Sequence, residues 1–181
     1  MPISPDELAA YFNAATVVTG FELGVSVRRI SLKATAGIRD RPRLMSLKEY
    51  IEARIGDFDC IDAAVNYVTV LLSGAAGRVI GLEEFMAYPK PHLEMGRLVR
   101  AYMAEAHQCL EPETDSALAI IIGWLKNYNG GDAEATFGQL WHQADTLLRT
   151  QPHRDRLNRM VIELKKKRIL EGDEIQGVLN N

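Results

Sequence analysis

The sequence predicts a mainly α-helical domain with a small β element near its front. Apolar residues recur three and four positions apart over most of the chain, the spacing of a helix face, and capping signals open several of those stretches. Only one run, 25–32, combines β-branched residues with partial alternation, so strand content is expected around it alone. The 181 residues fit a single domain, 1–181, long enough to bury a proper core. A hydrophobic share of 47% with 25% charged residues is ordinary for a globular chain.

Ser4-Pro5-Asp6-Glu7 reads as a helix start. Ser4 can cap, Pro5 suits the first helical position because an N–H there would have no partner, and Glu7 completes a capping box. Leu8, Tyr11, Phe12, Ala15 and Val18 follow at helical spacing, and Gly20 and Gly24 bracket the helix end. Val25, Val27 and Arg29 then alternate with Ser26, Arg28 and Ile30 in a strand that runs to Leu32. The stretch 34–45 is a basic loop with room for a short second strand. Ser46-Leu47-Lys48-Glu49 repeats the capping-box pattern and opens a short helix with Tyr50, Ile51 and Ile55, stopped near Gly56.

A longer helix over 57–80 places Ile61, Val65, Val68, Leu72 and Val79 on one broad face. Its Ser73-Gly74-Ala75-Ala76-Gly77 segment is small enough for a second backbone to come close. After the break at Pro89-Lys90-Pro91, a helix is expected over 92–107, and an apolar one after Pro112 carries Leu118, Ile121, Ile122 and Leu125. Residues 127–132 form a loop and cap. Helices over 133–148 and 155–167 follow, divided near Pro152, and Gly172-Asp173 caps a last turn with Ile175, Val178 and Leu179. No repeat or low-complexity tract interrupts this order.

A formal net charge of -3 supplies no electrostatic argument for nucleic acid. The basic clusters at Arg39-Asp40-Arg41-Pro42-Arg43 and Lys165-Lys166-Lys167-Arg168 read as solvated faces. Cys60 and Cys109 are too few for a disulfide framework, so reduced thiols in a cytoplasmic protein are expected. The opening residues carry neither a basic nor an apolar leader segment, so no secretory signal is expected. The longest apolar candidate, 117–125, falls far short of the ~20 residues that cross a bilayer. The chain has no phosphate-cradling Gly-x-x-x-x-Gly-Lys-Ser/Thr loop.

The order of elements resembles the peptidase domain of FtsH-type ATP-dependent zinc metalloproteases. That family opens with a helix reading Ala-Tyr-His-Glu-Ala-Gly-His-Ala-Val-Val, then a Leu-Gly element, then a strand of the type Val-x-Lys-Val-Ser-Ile. This chain reads Ala10-Tyr11-Phe12-Asn13-Ala14-Ala15-Thr16-Val17-Val18, then Leu23-Gly24, then Val27-Arg28-Arg29-Ile30-Ser31-Leu32. Leu71-Leu72-Ser73-Gly74-Ala75-Ala76-Gly77-Arg78 is similar to the family's Leu-Leu-Gly-Gly-Arg-Ala-Ala-Glu-Glu helix in its small residues, without the acidic pair. His92-Leu93-Glu94-Met95-Gly96-Arg97 matches the stretch that begins with the family's third zinc ligand, which puts His92 in the place of that Asp. Leu157 to Leu164, followed by Leu170-Glu171-Gly172-Asp173-Glu174-Ile175, is similar to the closing helix and the Leu-x-Gly-x-Glu-Ile signature.

In the resembled motif two histidines four residues apart hold zinc from one helix face, and the glutamate polarises the attacking water. Here Phe12 and Thr16 stand at the histidine positions and Asn13 at the glutamate position. Phenylalanine has no ligand atom, threonine is a poor zinc ligand, and asparagine cannot serve as a general base. Phe12 is expected to fill the vacated site with apolar volume. His107 with Cys109 is too small a set to specify a metal, Trp124 and Trp141 read as core, and His142 and His153 stand isolated.

The resemblance thus implies a catalytically inactive zinc-metallopeptidase-like domain with no metal, no cofactor and no ATPase module, serving in binding, assembly or regulation. The alternative is a metal-dependent peptidase or hydrolase with a site rebuilt around His92, using His107 or Cys109. The implied partners are a peptide or protein segment along the strand from Val25 to Leu32, a second copy, or an AAA protease. No nucleic acid and no membrane span are expected.

Overall fold

A computed structural model describes residues 4–35, 38–39, 42–53, 60–85 and 132–180. They form six helices and two small antiparallel sheets. The expected mainly helical architecture with a small β element is what the chain adopts. The helices expected over 92–107 and after Pro112, with His92, His107, Cys109 and Trp124, lie outside the described residues.

Helix α1 (Pro5–Leu23) opens with the capping box that its sequence announces. The Glu7 N–H donates to Ser4 Oγ at 3.1 Å, and the Ser4 N–H donates back to Glu7 Oε2 at 3.2 Å. The helix ends at Gly24, whose φ of 74° is left-handed and suits a residue without a Cβ. Gly20 does not end the helix. It lies one turn inside, and a Cβ there would stand 2.6 Å from Val25 O, where the chain folds back into the first strand. From Ala10 to Gly20 every residue except Phe12 is buried. A helix covered on nearly all sides is the centre of a core rather than a face laid on one.

What covers α1 most closely is α3 (Cys60–Glu84). Gly74, Gly77 and Gly81 recur at helical spacing and let the two backbones meet. An added Cβ at Gly77 would lie 2.4 Å from Ala15 Cβ and 2.4 Å from Tyr11 O, and one at Gly81 would lie 2.7 Å from the Tyr11 ring. The close approach expected at 73–77 is therefore made, and α1 is the partner. The segment Ile61–Glu84 is long and apolar enough, by length and composition, to cross a membrane, which the reading of apolar runs missed. Within the fold 78% of its most apolar window is buried, as in a core helix.

Strand β1 (Val27–Ser31) is the middle strand of a three-stranded sheet, between β4 (Arg43–Leu44) and β5 (Ile169–Glu171). The loop at 34–45 supplies more β structure than one strand: β2 (Ala34–Thr35) pairs with β3 (Ile38–Arg39), and β4 (Arg43–Leu44) pairs with β1. Val27 faces Leu44 and Arg29 faces Arg43, with an irregularity between the two pairs. On the other side Arg29, Ile30 and Ser31 face Glu171, Leu170 and Ile169 of β5 (Ile169–Glu171). Strands of the same chain therefore pair with β1 on both sides, β5 only from Arg29 onward. Helix α2 (Leu47–Ala53) begins with the expected Ser46–Glu49 capping box, and buried Tyr50 donates its hydroxyl to Leu23 O at 2.7 Å.

Helices α4 (Ala133–Arg149) and α5 (Gln151–Lys167) meet at Thr150 rather than near Pro152. Pro152 sits in the first turn of α5, where proline's missing N–H costs no hydrogen bond, so it starts a helix instead of dividing two. Phe137, Leu140, Trp141, Ala144 and Leu148 from α4 and Leu157, Met160, Val161 and Leu164 from α5 are buried. Helix α6 (Gly172–Leu179) follows β5 directly and buries Ile175 and Leu179.

The basic run after Leu164 is exposed, as expected of a solvated face, yet each cation has a carboxylate. Lys165 pairs with Glu7 at 2.8 Å, Lys166 with Glu163 at 3.8 Å, Lys167 with Glu174 at 2.8 Å and Arg168 with Asp6 at 2.6 Å. Two of these pairs tie the end of α5 to the beginning of α1.

Candidate functional site

Phe12, Asn13 and Thr16, the positions that the resemblance sets against a zinc motif, lie within one turn of α1. Phe12 is half-buried, and its ring lies over Gly74 of α3, where a Cβ would come within 2.6 Å of it. Asn13 is buried at 3% exposure. Its Nδ2 donates to Ala9 O at 2.8 Å and stands 3.5 Å from Ser31 O of β1, while its Oδ1 is buried without a partner. Thr16 is buried too, and its hydroxyl donates to Phe12 O at 3.0 Å, one turn back in the same helix.

Each of the three side chains is thus committed to packing or to backbone. The surroundings of Asn13 call for a donor: two carbonyl oxygens face it, and a carboxylate in its place would set negative oxygens against them. Thr16 has given its proton to a helix carbonyl, and Phe12 fills its space with a ring. Phe12, Asn13 and Thr16 offer a metal no imidazole nitrogen, thiolate or carboxylate. Among the described residues no three His, Cys, Asp or Glu side chains come together in a group that could hold a metal ion. His92 and the pair His107 and Cys109 lie outside those residues.

The remaining candidates separate clearly. Trp141 is in the core, 7% exposed, as its position on an apolar face implies. His142 is exposed on α4. His153 is not isolated. Its Nε2 lies 3.0 Å from Glu22 Oε2 of α1, a contact between residues 131 positions apart that no local pattern announces.

A second feature was not legible in the sequence. A small open cleft of about 80 Å³ lies where the end of α1, the start of β1 and α6 meet. Gly20, Phe21, Val25, Val27, Ile175 and Leu179 contribute to its lining. It exists because β5 pairs with only three residues of β1 before the chain turns into α6, which leaves the first part of β1 without a strand on that side.

The expected docking of a peptide along the strand from Val25 to Leu32 meets a physical obstacle in this topology. Edge addition needs an open row of backbone groups, and β4 pairs with β1 at Val27 and Arg29 while β5 pairs with Arg29, Ile30 and Ser31, so only the part of the segment before Arg29, on the β5 side, lacks a strand. The outer strands of the sheet are β4 and β5.

No protein-family model matches the chain, and no curated protein matches it.

Proposed function

We propose that this chain is a peptidase-like protein that does no catalysis at the position of the zinc helix and acts by binding, assembly or regulation. One observation carries the reading: the three side chains spaced like His-Glu-x-x-His on α1 are Phe12, Asn13 and Thr16, packed against α3 or bonded to helix backbone. Supporting it is the succession of helix, strand, glycine-bearing helix and closing Leu-x-Gly-x-Glu-Ile turn, which the resemblance to FtsH-type peptidase domains orders in the same way. A partner segment that joined the sheet would do so along β4, along β5, or beside the first part of β1 that β5 leaves without a strand. The partner classes are an extended peptide, a second copy of the chain or an AAA protease, and the two cysteines suit a reducing compartment such as the cytoplasm.

The test joins two assays on the full chain. Incubation with zinc and an unfolded protein substrate is expected to give no cleavage above buffer. Affinity capture is expected to recover extended peptides, a second copy of the chain or an AAA protease. Cleavage that disappears on His92→Ala would replace this reading with a rebuilt hydrolase site, and capture of none of these partners would count against the binding role.

A further inference from the structure

The start of β1 presents backbone groups that no strand of this chain takes up. The Met45 N–H donates to Ser26 O at 2.9 Å, so Val27 and Leu44 form a pair that exchanges no hydrogen bonds. The N–H and C=O of Val27 therefore point to the side away from β4. On that side β5 begins to pair only at Arg29, and among the described residues no backbone group bonds to either. What lies there instead is the open cleft of about 80 Å³ between the end of α1, β1 and α6.

The cleft and the open backbone pair suit one occupant. The Val27 side chain stands on the α1 face of the sheet, since its Cγ2 is 3.2 Å from a Cβ placed at Gly20. A residue lying antiparallel opposite Val27 would exchange both hydrogen bonds with it and put its own side chain on the same face. On that face is the cleft, whose walls include Gly20, Phe21, Ile175 and Leu179 and which has room for one aliphatic side chain. We propose that the start of β1 takes an extended peptide segment, paired antiparallel with Val27, with a leucine-sized residue in the cleft and an acidic residue two positions away. The proposal rests on the reading of this chain as a binding protein and names the segment that it binds.

The acidic residue follows from Arg156 of α5. Its guanidinium lies 5.1 Å over the ring of Phe21, a wall of the cleft. It stands 3.6 Å from Glu22 Oε2, beyond hydrogen-bond reach, and donates no hydrogen bond among the described residues. Glu22 is held more closely by His153, at 3.0 Å. The donors of Arg156 are thus open to a carboxylate that arrives with the peptide. Residues two apart along a strand share a face, so an acid two positions from the anchor stands on the face of the sheet where α1 and Arg156 lie. On the α6 side the cleft is lined by Gln176, which is neutral.

The probe is a blocked peptide, Glu-Thr-Leu-Thr-Glu, titrated into the full ¹⁵N-labelled chain and followed by amide NMR. The Val27 amide is expected to move downfield, and its hydrogen exchange to slow, as the peptide saturates. Replacing the central leucine by alanine is expected to weaken binding about tenfold or more. Replacing both glutamates by glutamine is expected to weaken it about threefold, a difference that disappears in Arg156→Gln. The first two comparisons change only the peptide, so they need no variant to fold. A Val27 amide unmoved at about 1 mM peptide, or equal binding of the alanine or the glutamine peptide, would overturn the proposal. Shifts confined to β4 or to the outer edge of β5 would overturn it too, while leaving the binding role of the protein intact. Peptide that binds at Val27 but is recovered cut would uphold the cleft and overturn the non-catalytic reading.

Discussion

Gly77 is where one added methyl group would do most damage. Its Cβ would meet Ala15 Cβ and the backbone oxygen of Tyr11, each at 2.4 Å, and neither can move without parting α1 from α3. Gly77→Ala is expected to cost about 3 kcal/mol or more, at the upper end of overpacking penalties, in urea unfolding. Gly177→Ala is the control: an added Cβ there meets nothing within 4 Å, on an exposed helix position, and about 0.5 kcal/mol of stabilisation is expected. Asn13 makes the second prediction at this scale. Asn13→Asp would bring a carboxylate against Ala9 O with Ser31 O nearby, so its charged form is disfavoured on folding. A group whose protonated form the fold prefers loses stability as pH rises. The variant is therefore expected to trail the wild type by about 2 kcal/mol near neutral pH and by less in acid, measured as the difference between the two chains at each pH.

At the scale of the elements, the lowered carboxyls among the described residues stand at helix N-termini. The Glu49 carboxyl is lowered to about 2, first by the Ser46 N–H that it accepts and then by the Arg28 guanidinium and the Ser46 hydroxyl. Glu7 is lowered by the Lys165 ammonium and next by the Ser4 N–H, and Glu174 by the Lys167 ammonium and next by the Glu171 N–H. All three are depressed, so their contribution is present above the ordinary carboxylate value of 4.5 and lost as pH falls below it, for Glu49 towards about 2. Tm is expected to drop over that acid window, and Glu49→Gln is expected to drop less than the wild type. An equal acid loss in the two chains would contradict a capping origin.

The caps that set this behaviour were legible because they are local: Ser4 with Glu7 and Ser46 with Glu49 sit three residues apart and bond as their spacing implies. The corner at Thr150 was not, because proline reads as a breaker until its place in the first turn is known. Strand β5 was not either. Three residues have no period, and their partner Ile30 is 140 positions away.

At the scale of the whole molecule, the sequence foretold the helical class and the glycine-bearing approach at 73–77. It did not foretell that α1 lies at the centre. Its buried polar residues Asn13, Thr16 and Thr19 break any apolar stripe, so no single face marks the direction of burial. The site divides the same way. Phe12 as filler follows from its chemistry, while the placing of β1 in mid-sheet depends on β4 and β5 and so on long-range pairing. The same central helix carries the proposal that Phe12, Asn13 and Thr16 serve packing and hold no zinc. The most direct measurement of it is the metal content of the full chain, purified without a histidine tag and equilibrated with zinc. Far less than one zinc per chain, unchanged in His92→Ala, is the expected result. One tightly held zinc per chain that is lost in His92→Ala would contradict it.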